Sequence, residues 1–335
     1  MRRRDARSFP GRIIAGGVQA ALLALACVWG DASAIAQAYP DKPVRIVVPF
    51  TPGSPNDVVT RVLATPLSAR LGQPVVVENR PGGGTLIGVK SVLTGERDGY
   101  TLLALSSPTL FLGSLVNENV SYDPLKDLVP ISTIGSTALV MVITPDLPVR
   151  SLKQLVDHAN AHPGTVNIGY GRGTLPNLSS ELLRTVTRAD IASIPYRGGA
   201  QVVADMLGGR IQINLGSPAT LLPLIRDGRL NTIAVTGPTR MPDLPEVPTM
   251  IESGFPKVIG TNHWAILGPA GMPEAAVDRL NREINEVLKS PEFQAGLRKI
   301  GAEPMGGSSQ DFARLIADEF KTWAPIVKAT GFKLE

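Results

Sequence analysis

Residues 44–57 read VRIVVPFTPGSPND and contain, in order, a strand, a turn and a helix start. The β-branched run that opens the stretch predicts a buried strand. Gly53 permits a tight turn, and Ser54 with Asp57 three residues later forms a capping box that begins a helix. The stretch therefore predicts a strand that leads directly into a helix, the unit of open α/β sheets.

The same alternation of strand and helix patterns recurs along the chain. Short apolar runs predict strands at 44–49, 75–78, 101–106, 138–143, 166–170, 191–195, 211–215, 232–235 and 264–268. The last third is helical in pattern, with helices predicted over 273–289 and 291–300 and a longer one beyond. This alternation predicts an α/β fold with parallel sheets and helices on both faces. Because no Pro- or Gly-rich linker divides the chain, we expect two lobes that share it discontinuously.

The first 36 residues have the layout of an export signal. Five arginines within the first 12 residues precede an apolar run that reaches Trp29, and the small residues that follow end at Ala36. Glycines shorten the run below the ~20 apolar residues that a membrane span needs. We expect cleavage after Ala36 and a periplasmic protein; a membrane anchor and a lipid attached to Cys27 are the alternatives.

The mature chain would be nearly neutral. Removal of residues 1–36 lowers the formal net charge from +4 to +1, which leaves no field to attract nucleic acid. The one cysteine, Cys27, lies in the signal, so no disulfide or cysteine-ligated metal is expected. His158 and His162 have helical spacing without an evident third ligand, and we predict neither a metal nor another cofactor.

The sequence also has few of the parts that an enzyme needs. It contains three histidines and no G-x-S-x-G motif, so few residues are available to form a catalytic nucleophile–base pair. We therefore expect a binding protein that catalyses nothing. An α/β hydrolase is the enzymatic alternative.

The loops that follow the predicted strands are the candidate binding site, because ligands of open α/β sheets bind beyond the carboxyl ends of strands. Amides at helix starts, hydroxyls and arginine suit a carboxylate. Each loop alone is equally an ordinary helix start, but four in matching positions favour a site. The candidate residues are Phe50, Thr51, Gly53, Ser54, Asn56, Ser106, Ser107, Gly171, Arg172, Gly173, Thr174 and Tyr196.

Six motifs resemble the Bug/TctC family, the extracytoplasmic receptors of tripartite tricarboxylate transporters. They follow one another in the family's order over nearly the whole mature chain, which makes the resemblance specific. The motifs are YPDKPVRIVVPF (39–50), GQPVVVENRPG (72–82), DGYTLL (98–103), YDP (122–124), PYRG (195–198) and PEVPT (245–249).

The resemblance implies a type II periplasmic-binding fold, in which two α/β lobes close on a ligand. One lobe would comprise residues 40–142 plus 262–335 and the other residues 143–261. The ligand carboxylate would lie on loops 51–56 and 171–174, near the candidate serines, Tyr196 and Ser217. The implied partners are a small organic acid and a membrane permease, with a sensor kinase in place of the permease as the alternative.

The chain departs from the family pattern in ways that bear on the ligand. It has Gly53-Ser54-Pro55 where relatives commonly carry a glycine pair, and Arg172 where Asn is frequent. Gly216 stands where an Asp often precedes the serine that matches Ser217. Loss of an acid and gain of a cation favour a di- or tricarboxylate, or an aromatic acid, over an amino acid.

Arg172 gives a direct test of this preference. Arg172→Ala should weaken binding of a tricarboxylate such as citrate more than binding of a monocarboxylate, because the guanidinium would meet the additional negative group. Isothermal titration of both acids against both proteins measures the effect. Equal losses for the two acids would contradict a role in charge selection.

Overall fold

The computed structural model describes residues 39–116, 120–171, 174–196 and 198–330. The expected signal peptide, residues 1–36, lies outside the described residues. Every strand and helix named below lies within residues 42–335, which form one compact unit. No helix in the described ranges is long and apolar enough to cross a membrane.

The described residues form ten strands and ten α-helices. The strands are β1 (Val44–Val48), β2 (Val75–Asn79), β3 (Thr101–Ser106), β4 (Leu128–Ala138), β5 (Val140–Ile143), β6 (Asn167–Gly171), β7 (Ala192–Tyr196), β8 (Ile213–Gly216), β9 (Asn231–Val235) and β10 (Thr261–Pro269). The helices are α1 (Pro55–Leu71), α2 (Leu86–Leu93), α3 (Ser107–Val116), α4 (Leu152–Ala161), α5 (Leu175–Thr187), α6 (Gly199–Leu207), α7 (Pro218–Arg226), α8 (Glu274–Leu288), α9 (Pro291–Arg298) and α10 (Ser309–Thr330).

The strands form two five-stranded sheets, with the orders β2-β1-β3-β10-β4 and β7-β6-β8-β5-β9. The α/β class is confirmed, but the expectation of purely parallel sheets is wrong. In the first sheet β10 runs antiparallel to β3 and β4, and in the second β5 runs antiparallel to β8 and β9. Each of these two strands reaches its sheet from the other sheet. It does not arrive through a helical crossover, so the rule that makes such connections parallel does not apply.

The predicted strand over 138–143 is in fact the end of one strand and the whole of another. β4 ends at Ala138 in the first sheet, and β5 begins at Val140 in the second. Most of β4 was missed because Pro130, Gly135 and several hydroxyl residues interrupt its apolar pattern. The lobe limits at residues 142 and 262 stay a prediction, and the strand pairing favours Leu139 as the first limit.

The two passages between the sheets are joined by a backbone hydrogen bond from Leu139 to Gly260, at 3.2 Å, and by one hydroxyl group. Leu139 leaves the first sheet and Gly260 returns to it. The buried Thr236 Oγ1 accepts a hydrogen bond from the Leu139 amide at 2.8 Å and donates to the Gly260 carbonyl at 2.8 Å. A Cβ on Gly260 would lie 2.6 Å from the Ser179 Oγ, so no side chain fits there. Both passages are therefore held together at one point.

Helix α10 packs against the cores of both sheets. Phe312 and Ile316, in its first half, belong to the hydrophobic cluster of the first sheet. Trp323 and Val327, in its second half, belong to a cluster formed mainly by the second sheet. Phe111 of α3 stacks on Trp323, with ring centroids 5.7 Å apart. The C-terminal helix therefore ties the two lobes together.

Trp323→Ala should lower the free energy of unfolding by about 3–5 kcal/mol, because it removes a buried aromatic ring from between the lobes. Trp323 is 3% exposed. Ile251→Ala, at a position 49% exposed, is the control and should change stability by less than about 0.5 kcal/mol. Urea unfolding measures both, and similar values for the two variants would contradict the bridging role of α10.

Candidate functional site

The candidate binding residues lie at one edge of each sheet. In the first sheet β1 and β3 are parallel neighbours, so the loop before α1 and the start of α3 share an edge. In the second sheet β6, β7 and β8 run in parallel, and Gly171 pairs directly with Tyr196. The structure thus groups the candidates of each lobe at the edge where ligands of α/β sheets bind. That these edges bind a ligand stays a prediction.

The first loop is closed by its own hydrogen bonds. The Ser54 Oγ accepts from the Asp57 amide at 3.3 Å, which confirms the predicted helix cap. The Asp57 Oδ2 accepts from the Gly53 amide at 2.8 Å, and the Ser54 amide donates to the Thr51 carbonyl at 3.2 Å. The expectation that these amides are open to an anion is therefore wrong, because capping uses them within the loop.

Asp57 holds this loop to the neighbouring strand. Its Oδ1 accepts from Arg61 Nε and from Asn79 Nδ2, each at 2.9 Å, and Asn79 Nδ2 also donates to the Phe50 carbonyl at 3.1 Å. Burial acts to raise the pKa of Asp57. The hydrogen bonds from Arg61, the Gly53 amide and Asn79 outweigh it and hold the pKa below its ordinary value of 3.8. An ionised carboxylate thus fixes the loop.

Few donors of the first loop remain for a ligand. Pro55 has no amide hydrogen, and the Asn56 amide has no backbone partner among the described residues. Asn56 is half-buried, and its Oδ1 is buried without a hydrogen-bond partner. Thr51 is exposed. Asn56 and Thr51 are therefore the residues of this loop best placed to contact a ligand.

The serines at the end of β3 are buried and belong to a polar network. The Ser106 Oγ lies 2.9 Å from the Thr109 Oγ1. The Ser107 Oγ lies 3.4 Å from His263 Nδ1, and this nitrogen is 2.8 Å from the Glu319 Oε1. The start of α3 is thus supported from β10 and from α10.

The loop after β6 is described only in part. Arg172 and Gly173 lie outside the described residues. Thr174 caps α5: its Oγ1 accepts from the Asn177 amide at 3.4 Å and donates to the Gly171 carbonyl at 2.6 Å. As in the first loop, the capping residue is also a candidate ligand residue.

Tyr196 and Ser217 differ in the groups that they can offer. The Tyr196 hydroxyl donates to the Asp205 Oδ2 at 2.7 Å. Burial and this hydrogen bond raise the pKa of Tyr196 to about 12, so the hydroxyl is committed to a contact within the second lobe. Ser217 precedes α7, is exposed and makes no capping hydrogen bond with its side chain. Of the two, Ser217 is the better donor for a ligand.

Four of the helix starts at these edges carry a hydroxyl residue followed closely by proline. The pairs are Ser54-Pro55, Ser107-Pro108, Thr174 with Pro176, and Ser217-Pro218. Since proline has no amide hydrogen, each start keeps fewer backbone donors. Ser290-Pro291 begins α9 in the same way, away from the candidate edges. The motif therefore marks a helix start, and its position at a strand end is what suggests a ligand.

Helix α3 follows a strand of the first sheet and helix α5 follows a strand of the second, and both contribute to one hydrophobic cluster. Phe111 of α3 and both Leu175 and Leu178 of α5 belong to it. Ser107 lies one turn before Phe111, and Thr174 directly precedes Leu175. The structure therefore connects a candidate residue of each lobe through the same packed region.

Sequence reasoning missed the side-chain pairings that organise these edges. Asn79 and Asp57 are 22 residues apart, and His263 and Glu319 are 56 apart, so no local spacing joins them. His158 and His162 stack with ring centroids 4.4 Å apart. Within the described ranges, no three His, Cys, Asp or Glu residues are grouped as a metal site.

Asp57→Asn should lower the free energy of unfolding at pH 7 by about 2 kcal/mol, because the loop loses its charged acceptor. The folded-state pKa is lowered, so this stabilisation is fully present above the ordinary value of 3.8 and is lost as the pH falls through the folded pKa. Urea unfolding at pH 7, 5 and 3 should therefore show a difference that shrinks only at pH 3. The exposed Asp146→Asn is the control; a difference for Asp57→Asn that persists in full at pH 3 would count against the assignment.

The comparisons with known proteins agree on one family. The model of the tripartite tricarboxylate transporter family receptor, TctC, matches residues 59–332. Protein BugT of Bordetella pertussis is 38% identical over 302 residues, which make up 90% of this chain and 93% of BugT.

Solved structures show the same relationship in three dimensions. Rpa4515 of R. palustris, solved with adipate, is 32% identical with a TM-score of 0.73, covering 88% of this chain and 99% of that one. The periplasmic binding protein BugD is 28% identical with a TM-score of 0.71, covering 89% and 100% of the two chains. The expected periplasmic-binding fold is thereby confirmed. The chain belongs to the TctC family of solute-binding receptors of tripartite tricarboxylate transporters.

Proposed function

We propose that this receptor captures a small organic carboxylate, with a di- or tricarboxylate or an aromatic acid favoured, and binds it without converting it. The observation that carries the proposal is the set of hydroxyl residues at helix starts at one edge of each sheet, namely Ser107, Thr174 and Ser217. Hydroxyl donors and the positive end of a helix both favour a carboxylate. Each lobe would hold one of the two carboxylate groups of a dicarboxylate.

The similarity to Rpa4515, which was solved with adipate, supports a dicarboxylate. Adipate carries a carboxylate at each end of a flexible chain, and two edges with separate donors suit such a ligand. Asn56 of the first lobe and Arg172 of the second are the residues that we expect to tune the choice among acids.

The geometry around His263 supports binding over hydrolysis. Ser107 and Glu319 both approach the same nitrogen, Nδ1, at 3.4 and 2.8 Å. In a Ser-His-acid triad the serine meets the nitrogen opposite the one that holds the acid. His263 in this arrangement is not positioned to take a proton from Ser107 while Glu319 orients it.

Export and a membrane partner complete the proposal. The chain would reach the periplasm through the signal in residues 1–36 and deliver its ligand to the permease of the transporter. BugD is described as a periplasmic binding protein, which supports this location. Copurification of a permease with the ligand-loaded receptor would distinguish transport from service to a sensor kinase.

A thermal-shift titration of the mature chain tests the ligand class. Adipate at about 100 times its Kd should stabilise the folded protein by about 2.7 kcal/mol through mass action. Adipamide has the same chain without charges and should have no effect. NMR of the recovered acid should show it unchanged. Equal stabilisation by adipamide would show that the protein does not recognise the carboxylate groups. Steady conversion of the acid would show that the protein is an enzyme.

A further inference from the structure

A buried polar group lies behind the start of α3 and links three elements. It consists of Ser107 on α3, His263 on β10 and Glu319 on α10, and the side chains of His263 and Glu319 are each 12% exposed. The Glu319 Oε2 is buried and has no hydrogen-bond partner among the described residues. Ser107 is the candidate ligand residue of this group, whereas His263 and Glu319 lie on β10 and α10, outside the candidate loops.

The distances indicate where the hydrogen on His263 points. An ionised carboxylate can only accept, so the 2.8 Å contact between Nδ1 and the Glu319 Oε1 needs a hydrogen on Nδ1. Because Oε2 lacks a partner among the described residues, this contact is the one hydrogen bond that the structure shows for the Glu319 carboxyl group. Both neutral histidine with its hydrogen on Nδ1 and charged histidine satisfy the requirement.

The same hydrogen determines what Ser107 can do. Since Nδ1 is a donor, the Ser107 Oγ at 3.4 Å can interact with it only as a weak acceptor. The Ser107 hydroxyl hydrogen is then not used by His263. If Nδ1 lacked a hydrogen, Ser107 would donate to it and would have nothing to offer a ligand.

We infer that Glu319, acting through His263, holds Ser107 as a hydrogen-bond donor toward the ligand and so favours a carboxylate oxygen at this point over an ammonium group. Glu319 and His263 are positioning residues in this scheme, and only Ser107 touches the ligand. The inference rests on the proposed function, because it takes the ligand to reach the start of α3.

The first experiment reads the hydrogen directly and needs no ligand. The chain contains three histidines, so ¹⁵N-labelled protein gives few imidazole signals, and His263→Asn identifies the relevant one. Long-range ¹H–¹⁵N correlation spectra should show a hydrogen on Nδ1 of His263. A spectrum with hydrogen on Nε2 alone would overturn the inference.

The second experiment measures coupling to the ligand by titration with adipate. Ser107→Ala and Glu319→Leu should each weaken binding about tenfold, the value of one charge-assisted hydrogen bond. In the Ser107→Ala background, Glu319→Leu should cause no further loss, because the hydroxyl that it controls is gone. Losses that multiply in the double variant, or full affinity in Ser107→Ala, would overturn the inference.

Milder and control variants keep the result interpretable. Lys321→Leu changes an exposed residue of the same helix and should leave affinity unchanged. Where Glu319→Leu does not fold, Glu319→Gln replaces it. If NMR shows that this variant keeps the hydrogen on Nδ1, it should keep its affinity for adipate; if the hydrogen is lost from Nδ1, the affinity should fall. If titration shows that the wild-type protein binds neither adipate nor any other organic acid, the proposed function fails. The NMR spectrum would still show which nitrogen of His263 carries the hydrogen.

Discussion

The architecture depends on the contact at which Thr236 joins the two passages of the chain between its sheets. Leu139 and Gly260 lie side by side there, and a single hydroxyl bonds to both. Closure of two lobes on a ligand requires a few backbone positions that absorb the rotation. A Cβ on Gly260 would lie 2.6 Å from the Ser179 Oγ, so the two passages of the chain are closely packed where they cross between the sheets. The candidate edges of the two sheets are therefore connected through a small region around Leu139, Thr236 and Gly260.

A second constraint acts on the helix starts. Serine or threonine caps followed by proline begin these helices cleanly but reduce the number of amides that remain for a ligand. The first loop shows this most clearly, because Asp57 and Ser54 use most of its donors internally. Under the proposed function, a single helix start would then bind an anion weakly, and starts from both lobes would contribute.

Local chemistry in the sequence predicted much of the fold and part of the site. The β-branched runs predicted the strands to within about two residues in most cases, and the predicted helix cap at Ser54 is confirmed by its hydrogen bond. β4 was missed because its side chains lack the apolar pattern of a buried strand. The reversed directions of β5 and β10 could not be predicted, since they depend on which sheet the chain enters.

The candidate site likewise has residues that the sequence could predict and residues that it could not. Strand-end loops are visible in a sequence, so Ser107 and Thr174 could be chosen from position, whereas Ser217 was chosen from the family resemblance. The contact of Tyr196 with Asp205 and that of His263 with Glu319 depend on tertiary packing, and they decide which hydroxyls stay available. A sequence can therefore nominate the donors of such a site, whereas only the structure distinguishes donors that face a ligand from those already used.

Helix α3 brings these constraints together. Its first residue, Ser107, lies at the candidate edge of the first sheet, and Phe111 one turn later stacks on Trp323 of the helix that packs on both sheets. Glu319, one turn before Trp323 on that helix, reaches back to His263 behind Ser107. Ser107, His263 and Glu319 all lie in the predicted first lobe, whereas Phe111 and Trp323 belong to the cluster formed mainly by the second sheet. Each of the two helices therefore carries a polar contact within the first lobe and, one turn later, an apolar contact with the second.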